Sequence, residues 1–180
     1  PEGRRYLDQV PITPDGTLVP EDLAVTMLLN SRVGRRAYLS VQDRGLSLNL
    51  QCLPDVDLES SNASQRTTVA DLIAEVAQWP GFAASVATKV LHKKRPKLVP
   101  VLDNQAIFGA YMNPAWPSSR FLADSVKSAP WIREALERIH YDLTRRENVE
   151  SWVHLSRLEP SRSRIELFDM IWWSHFKESK

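Results

Sequence analysis

The chain has one cysteine in 180 residues, Cys52, so it can form no internal disulfide and has no cysteine cluster for zinc. Its histidines, His92, His140, His154 and His175, show no paired metal-ligand spacing, and neither a metal nor another cofactor is expected. Long apolar runs are missing too. Nothing approaches the ~20 residues of a membrane-spanning helix, and no signal-type apolar core opens the sequence. A lone thiol suits a reducing compartment, so the expectation is a cytoplasmic protein with no membrane partner. Charge of one sign is also scarce. With a net charge of +1, affinity for nucleic acid would have to come from uneven placement of charge. There is no phosphate-binding P-loop, no dinucleotide glycine fingerprint, no nucleophile elbow, no H-E-x-x-H and no internal repeat, which removes the commonest enzyme and solenoid classes.

What is present is ordinary globular material: 43% hydrophobic and 25% charged residues, enough to bury one core but not two. Pro11, Pro14, Gly16 and Pro20 predict an extended, surface-laid arm over 1–20, followed by a single helical domain over 21–180. Helical signals follow at 21–30, and at 69–78 with Thr68 and Asp71 as a capping pair. Others lie at 105–112, from Ser118 or Ser119, behind Pro130 to Arg145 and Arg146, at 147–158 and at 163–176. Residues 54–66 read as a polar loop. Over 37–53 two readings stay open, a helical region and a small β-hairpin, the latter because Leu46, Leu48, Leu50 and Cys52 alternate with polar residues and Asp43-Arg44-Gly45 supplies a turn. The fold class expected is mainly α.

The stretch from Trp79 to Ile107 narrows function most. Pro80 and Gly81 break one helix, and the small residues Ala83, Ala84 and Ala87 open another suited to close packing. That second helix ends in His92, Lys93, Lys94 and Arg95, is stopped by Pro96, and leads through Lys97 to Asp103, placed to cap the next helix. The result is a helical hairpin over 69–92 with a basic exit.

Two resemblances rest on these residues. The run from Lys94 to Asp103 has the form K-R-P-x-L-x-P-x-x-D, which, with Asp22-Leu23-Ala24-Val25 and Arg164 to Trp172, is similar to an uncharacterised, largely actinobacterial family of unknown function. More distantly, the Trp79 to Ile107 stretch resembles the helix-hairpin-helix DNA glycosylase superfamily, whose hairpin L-P-G-V-G precedes a helix and a downstream Asp. That resemblance implies a glycosylase-like helical architecture and double-stranded DNA as partner. It implies phosphate contacts from Gly81, Ala83 and Ser85, with Lys89, His92, Lys93, Lys94, Arg95 and Lys97 lining the nucleic-acid face. Asp103 takes the place of the catalytic carboxylate that helps break the glycosidic bond, with Asn104, Tyr111 and Trp116 as pocket residues. Ala83 stands where a second glycine is usual. Ser85 stands where bifunctional members carry the Schiff-base Lys, so the resemblance implies a monofunctional enzyme without a lyase step.

The plainer readings remain beside it. Pro-Gly between helices is often a connector, cations at a helix C-terminus complement its dipole, and an Asp leaving a loop is commonly a cap. A non-catalytic helical scaffold or a protein-interaction module is the alternative function.

Overall fold

A computed structural model describes residues 10, 13–29, 31, 33–112 and 129–178. Seven α-helices occur among them: α1 (Ala24–Leu28), α2 (Arg35–Arg44), α3 (Ala63–Ala77), α4 (Ala84–Lys94), α5 (Ala129–Thr144), α6 (Arg146–Leu158) and α7 (Arg164–Glu178). A 3-10 turn over Pro20–Leu23 leads into α1, others follow α2, and Ala106–Tyr111 winds as a π-helix. The described residues contain no strand. None of their helices is long and apolar enough to cross a membrane.

α3 is the centre. Its buried residues include Val69, Leu72, Ile73 and Val76 together with Ala70, Ala74 and Ala77. Small side chains at helical spacing let neighbouring axes approach closely, and α3 packs against both α4 and α5. From α4 come Ala84, Ala87, Val90 and Leu91, and from α5 Ile132, Leu136, Ile139 and Leu143, all fully enclosed. Each large aliphatic side chain buried here stabilises by roughly 1.5–3 kcal/mol. Arg66 ties α3 to α5 with a forked pair, Nε and an Nη each donating at 2.9 Å to one carboxylate oxygen of Glu137. α7 lies over the π-helix, where Tyr111 meets Phe168 edge-on at 5.1 Å between ring centroids.

Several expectations need correcting. No β-hairpin occupies 37–53: α2 covers the first half, and 3-10 turns at Gly45–Ser47 and Leu50–Cys52 the second. The alternation misleads because its apolar members do not share a face, Leu48 and Leu50 being buried while Leu46 and Cys52 are exposed. α3 begins well before 69, opened by a capping box in which Asn62 Oδ1 accepts from the Gln65 amide and Gln65 Oε1 from the Asn62 amide. The N-terminal arm is not wholly surface-laid, since Leu18 is buried and its amide donates to Gly45 O at 3.1 Å. The expected helix from Ser118 or Ser119 and the pocket residue Trp116 lie outside the described residues.

Candidate nucleic-acid interface

The α3–α4 hairpin turns on Gly81, whose φ of +84° lies in the left-handed region where Gly has no steric penalty. A Cβ built there would stand 2.5 Å from the amide nitrogen of Ala37, in the first turn of α2. The turn is therefore pressed against the start of a third helix. Ser40 fastens the contact, its hydroxyl donating to Pro80 O at 2.8 Å. Ala83 is extended, with φ −152° and ψ 177°, so the position that usually holds a second glycine accepts alanine without strain.

Ala83 offers α4 no side-chain cap, and Gly34 offers none to α2. The first amides of any α-helix lack an intrahelical acceptor and carry the positive end of its dipole. Here two such starts flank one turn, and Gly34, Arg35, Arg36, Pro80 and Gly81 are exposed beside them. Arg35 and Arg36 carry no signal in a sequence reading centred on the hairpin, because only the packing of Gly81 on Ala37 brings them there. Ser85 sits buried in the first turn of α4.

The basic end of α4 is built differently. Asp22 is fully buried and pairs with Lys94 at 2.9 Å and Lys93 at 3.4 Å, while accepting from the Val19 amide at 2.9 Å and from the Thr13 hydroxyl. Lys94 Nζ also donates to Thr13 Oγ1 and, at 2.8 Å, to Pro14 O. These lysines hold the N-terminal segment to α4. A local pattern could not show this, because the partner carboxylate lies far away in the sequence. Arg95 is half-buried, its guanidinium donating to Lys94 O at 2.8 Å, and Lys97 is exposed.

His92 and Lys89 also point inward. His92 Nδ1 donates to Val99 O at 2.7 Å, the roles fixed because a carbonyl can only accept. Beside His92 lies Glu166 of α7. Burial pushes the Glu166 carboxyl up, but the Ser163 amide and hydroxyl, the His92 charge and Arg162 outweigh it and hold the group below the usual carboxylate range. Lys89 has a side chain only 2% exposed, and its ammonium donates to Leu29 O at 2.8 Å and Ser31 Oγ at 2.6 Å.

Lys89 also reaches Asp103, whose Oδ2 is 3.8 Å from its Nζ. The other oxygen of Asp103 accepts from the Gln105 amide at 2.7 Å and the Ala106 amide at 3.1 Å, so the residue caps the π-helical turn. Its side chain keeps 11% of its surface in solvent. Asn104 next to it is exposed. Tyr111, at the far end of the turn, donates its hydroxyl to Asp142 Oδ2 at 2.8 Å. Burial first, and that carboxylate second, raise its hydroxyl far above the ordinary phenol value. Thus the hairpin residues, the basic run and Asp103 are all placed around α4, but at three separate points: its start, its end and its buried middle.

A family profile described as a family of unknown function, DUF6308, matches residues 7–176. No curated protein and no solved structure matches the chain.

Proposed function

The chain belongs to the DUF6308 family of unknown function, and from that premise, which brings no activity with it, we propose that it binds the backbone of double-stranded DNA through the α2–α4 junction. One observation carries this reading: the uncapped start of α4 follows a left-handed Gly81 that is packed on the uncapped start of α2, beside exposed Arg35 and Arg36. Free amides at converging helix starts suit a phosphate oxygen, and arginine adds a forked, permanently charged partner. In this reading Gly81 lets the strand approach, Ala83 and Ser85 present first-turn amides, and Lys93, Arg95 and Lys97 contribute longer-range field. Lys89, His92 and Lys94 act through the fold.

A catalytic reading is favoured by one further feature. Asp103 is oriented by two amides and a buried ammonium, yet one edge remains open to solvent, as a carboxylate that stabilises charge on a departing base requires. A π-helical turn at that position fits too, since such turns gather at functional sites.

The test is fluorescence anisotropy with duplex DNA, with and without an abasic-site analogue, across a salt series. Arg35→Ala/Arg36→Ala is expected to weaken binding and lower the salt slope by about one for each phosphate that is no longer neutralised. Ala83→Asp is the sharper variant. It supplies the missing cap and should stabilise the fold by about 0.5–1.5 kcal/mol, while its carboxylate occupies the phosphate position and costs at least about tenfold in affinity. Binding that ignores salt, or that survives Ala83→Asp unchanged, rules out this surface. For catalysis, base release from duplexes carrying damaged or mismatched bases should vanish in Asp103→Asn while DNA affinity stays; release that persists in the variant removes Asp103 from the chemistry.

A further inference from the structure

Helix α2 turns Ala37, Ser40 and Val41 inward, and its other side carries an exposed stripe at helical spacing: Arg35, Tyr38, Leu39 and Gln42. Tyr38 is 50% exposed and Leu39 39%. Single apolar residues are common on protein surfaces, so exposure alone decides nothing. Placement decides. A helical side chain leans toward the N-terminus of its helix, so Tyr38 and Leu39 lie back over the turn that begins at Arg35, where the uncapped amides of α2 open.

The described tyrosines differ in what covers them. Tyr111 packs against Phe168 and Trp172, and Tyr141 lies under the guanidinium of Arg145, 5.9 Å from its ring centroid. Among the described residues, no ring and no cation stacks on Tyr38, and neither Arg35 nor Arg36 has a carboxylate partner. An open aromatic face therefore stands within one helical turn, ~5.4 Å along the axis, of two cations that nothing neutralises. Two apolar side chains beside two such cations make a poor protein-docking face, because the buried centre of a protein interface is depleted in charge. They do suit a nucleotide strand, in which guanidinium groups take the phosphates and an aromatic face takes a base. Inside a duplex the bases stack on one another and offer no face to a side chain. Only an unpaired base does.

We propose that this stripe stacks an unpaired base, so that the DNA at the α2–α4 junction is a duplex bearing a single-stranded end; this rests on the phosphate binding proposed for that junction. Arg35 and Arg36 hold phosphates where the strands part, the first unpaired base lies on the Tyr38 ring, and Leu39 adds apolar surface beside it. Every base has a π-face, so the platform accepts any base.

The experiment is fluorescence anisotropy of the intact chain with three labelled duplexes at several salt concentrations. One is blunt, one carries a short thymidine overhang, and one carries an overhang of abasic units, which keeps the phosphate charge but has no bases. Overhangs are placed at the 5′ and at the 3′ end in turn. For at least one polarity the thymidine overhang should bind at least about fivefold tighter than the abasic one. Tyr38→Ala should erase that ratio and leave blunt-duplex affinity and the salt slope unchanged, whereas Tyr38→Phe, which keeps the ring, should preserve the ratio. Arg35→Ala/Arg36→Ala should weaken binding to every duplex and lower the salt slope with the ratio retained. An unchanged circular dichroism spectrum is expected for both Tyr38 variants, since the side chain is exposed. Equal affinity for thymidine and abasic overhangs of either polarity, or a ratio that survives Tyr38→Ala, overturns the stacking platform and leaves duplex binding at the junction standing. Absence of salt-dependent binding to all three duplexes removes the junction reading itself, and the platform with it.

Discussion

Replacing Asp22 by alanine should cost about 3–5 kcal/mol of stability, the largest loss expected of any single charge in this chain. The side chain of Asp22 is 1% exposed and that of Lys94 2%, so neither charge is rescued by water. Removing the carboxylate leaves an ammonium enclosed with only neutral acceptors, Thr13 Oγ1 and Pro14 O, and strips an acceptor from the Val19 amide. A domain of this size has roughly 5–15 kcal/mol in hand, so the variant should unfold at a much lower urea concentration, read by circular dichroism. Asp22→Asn keeps an acceptor for Val19 and loses only the charge, so its midpoint should fall between those of wild type and Asp22→Ala. Replacing both partners, Asp22→Leu with Lys94→Met, should recover part of the loss, because a buried pair is costly to break but replaceable as a unit. A stability within about 1 kcal/mol of wild type for Asp22→Ala, on the scale of an exposed pair, would show that water reaches this carboxylate.

That pair also marks the boundary of what the sequence makes legible. Helix α5 follows from period alone, because Ile132, Leu136, Ile139 and Leu143 recur at helical spacing and bury one face, whereas α6 buries only Trp152 and α7 is anchored by Ile165, Phe168 and Phe176. The hairpin is legible from Pro80 and Gly81, and Asp103 as a cap from its place at a loop exit, since caps and turns are local chemistry. What stays hidden is non-local. Lys93 and Lys94 look like solvated cations at a helix end until Asp22 is found beneath them. Lys89 looks like a surface residue of a basic helix until Leu29 and Ser31 close over it. Arg35 and Arg36 join the hairpin only because α2 packs on Gly81. The start of α3 is hidden for a different reason: its capping box is made by Asn62 and Gln65, in a polar stretch where no apolar period announces a helix.

Gly81→Ala is the second large effect, and it tests the junction on which the DNA-binding reading rests. Two costs combine. At φ +84° an alanine suffers the clash that keeps L residues out of the left-handed region, roughly 1–2 kcal/mol. Its methyl would also lie 2.5 Å from Ala37 N, a backbone atom inside α2 that cannot rotate aside, and overpacking of this kind costs about 1–3 kcal/mol more. The expected total is about 2–5 kcal/mol, seen as a lower urea midpoint with an unchanged slope. Gly16→Ala is the control, because there the nearest atoms belong to the flexible side chain of Gln51 at 3.6 Å and the change should stay within about 0.5 kcal/mol. If the Gly81 variant folds by pushing α2 away, the damage should reach beyond stability. Arg35 and Arg36 would then leave the start of α4, and DNA affinity measured well below the unfolding midpoint should fall as it does in Arg35→Ala/Arg36→Ala. A destabilised variant that binds DNA as well as wild type would separate the two roles, leaving Gly81 as a packing residue and moving the phosphate contact elsewhere.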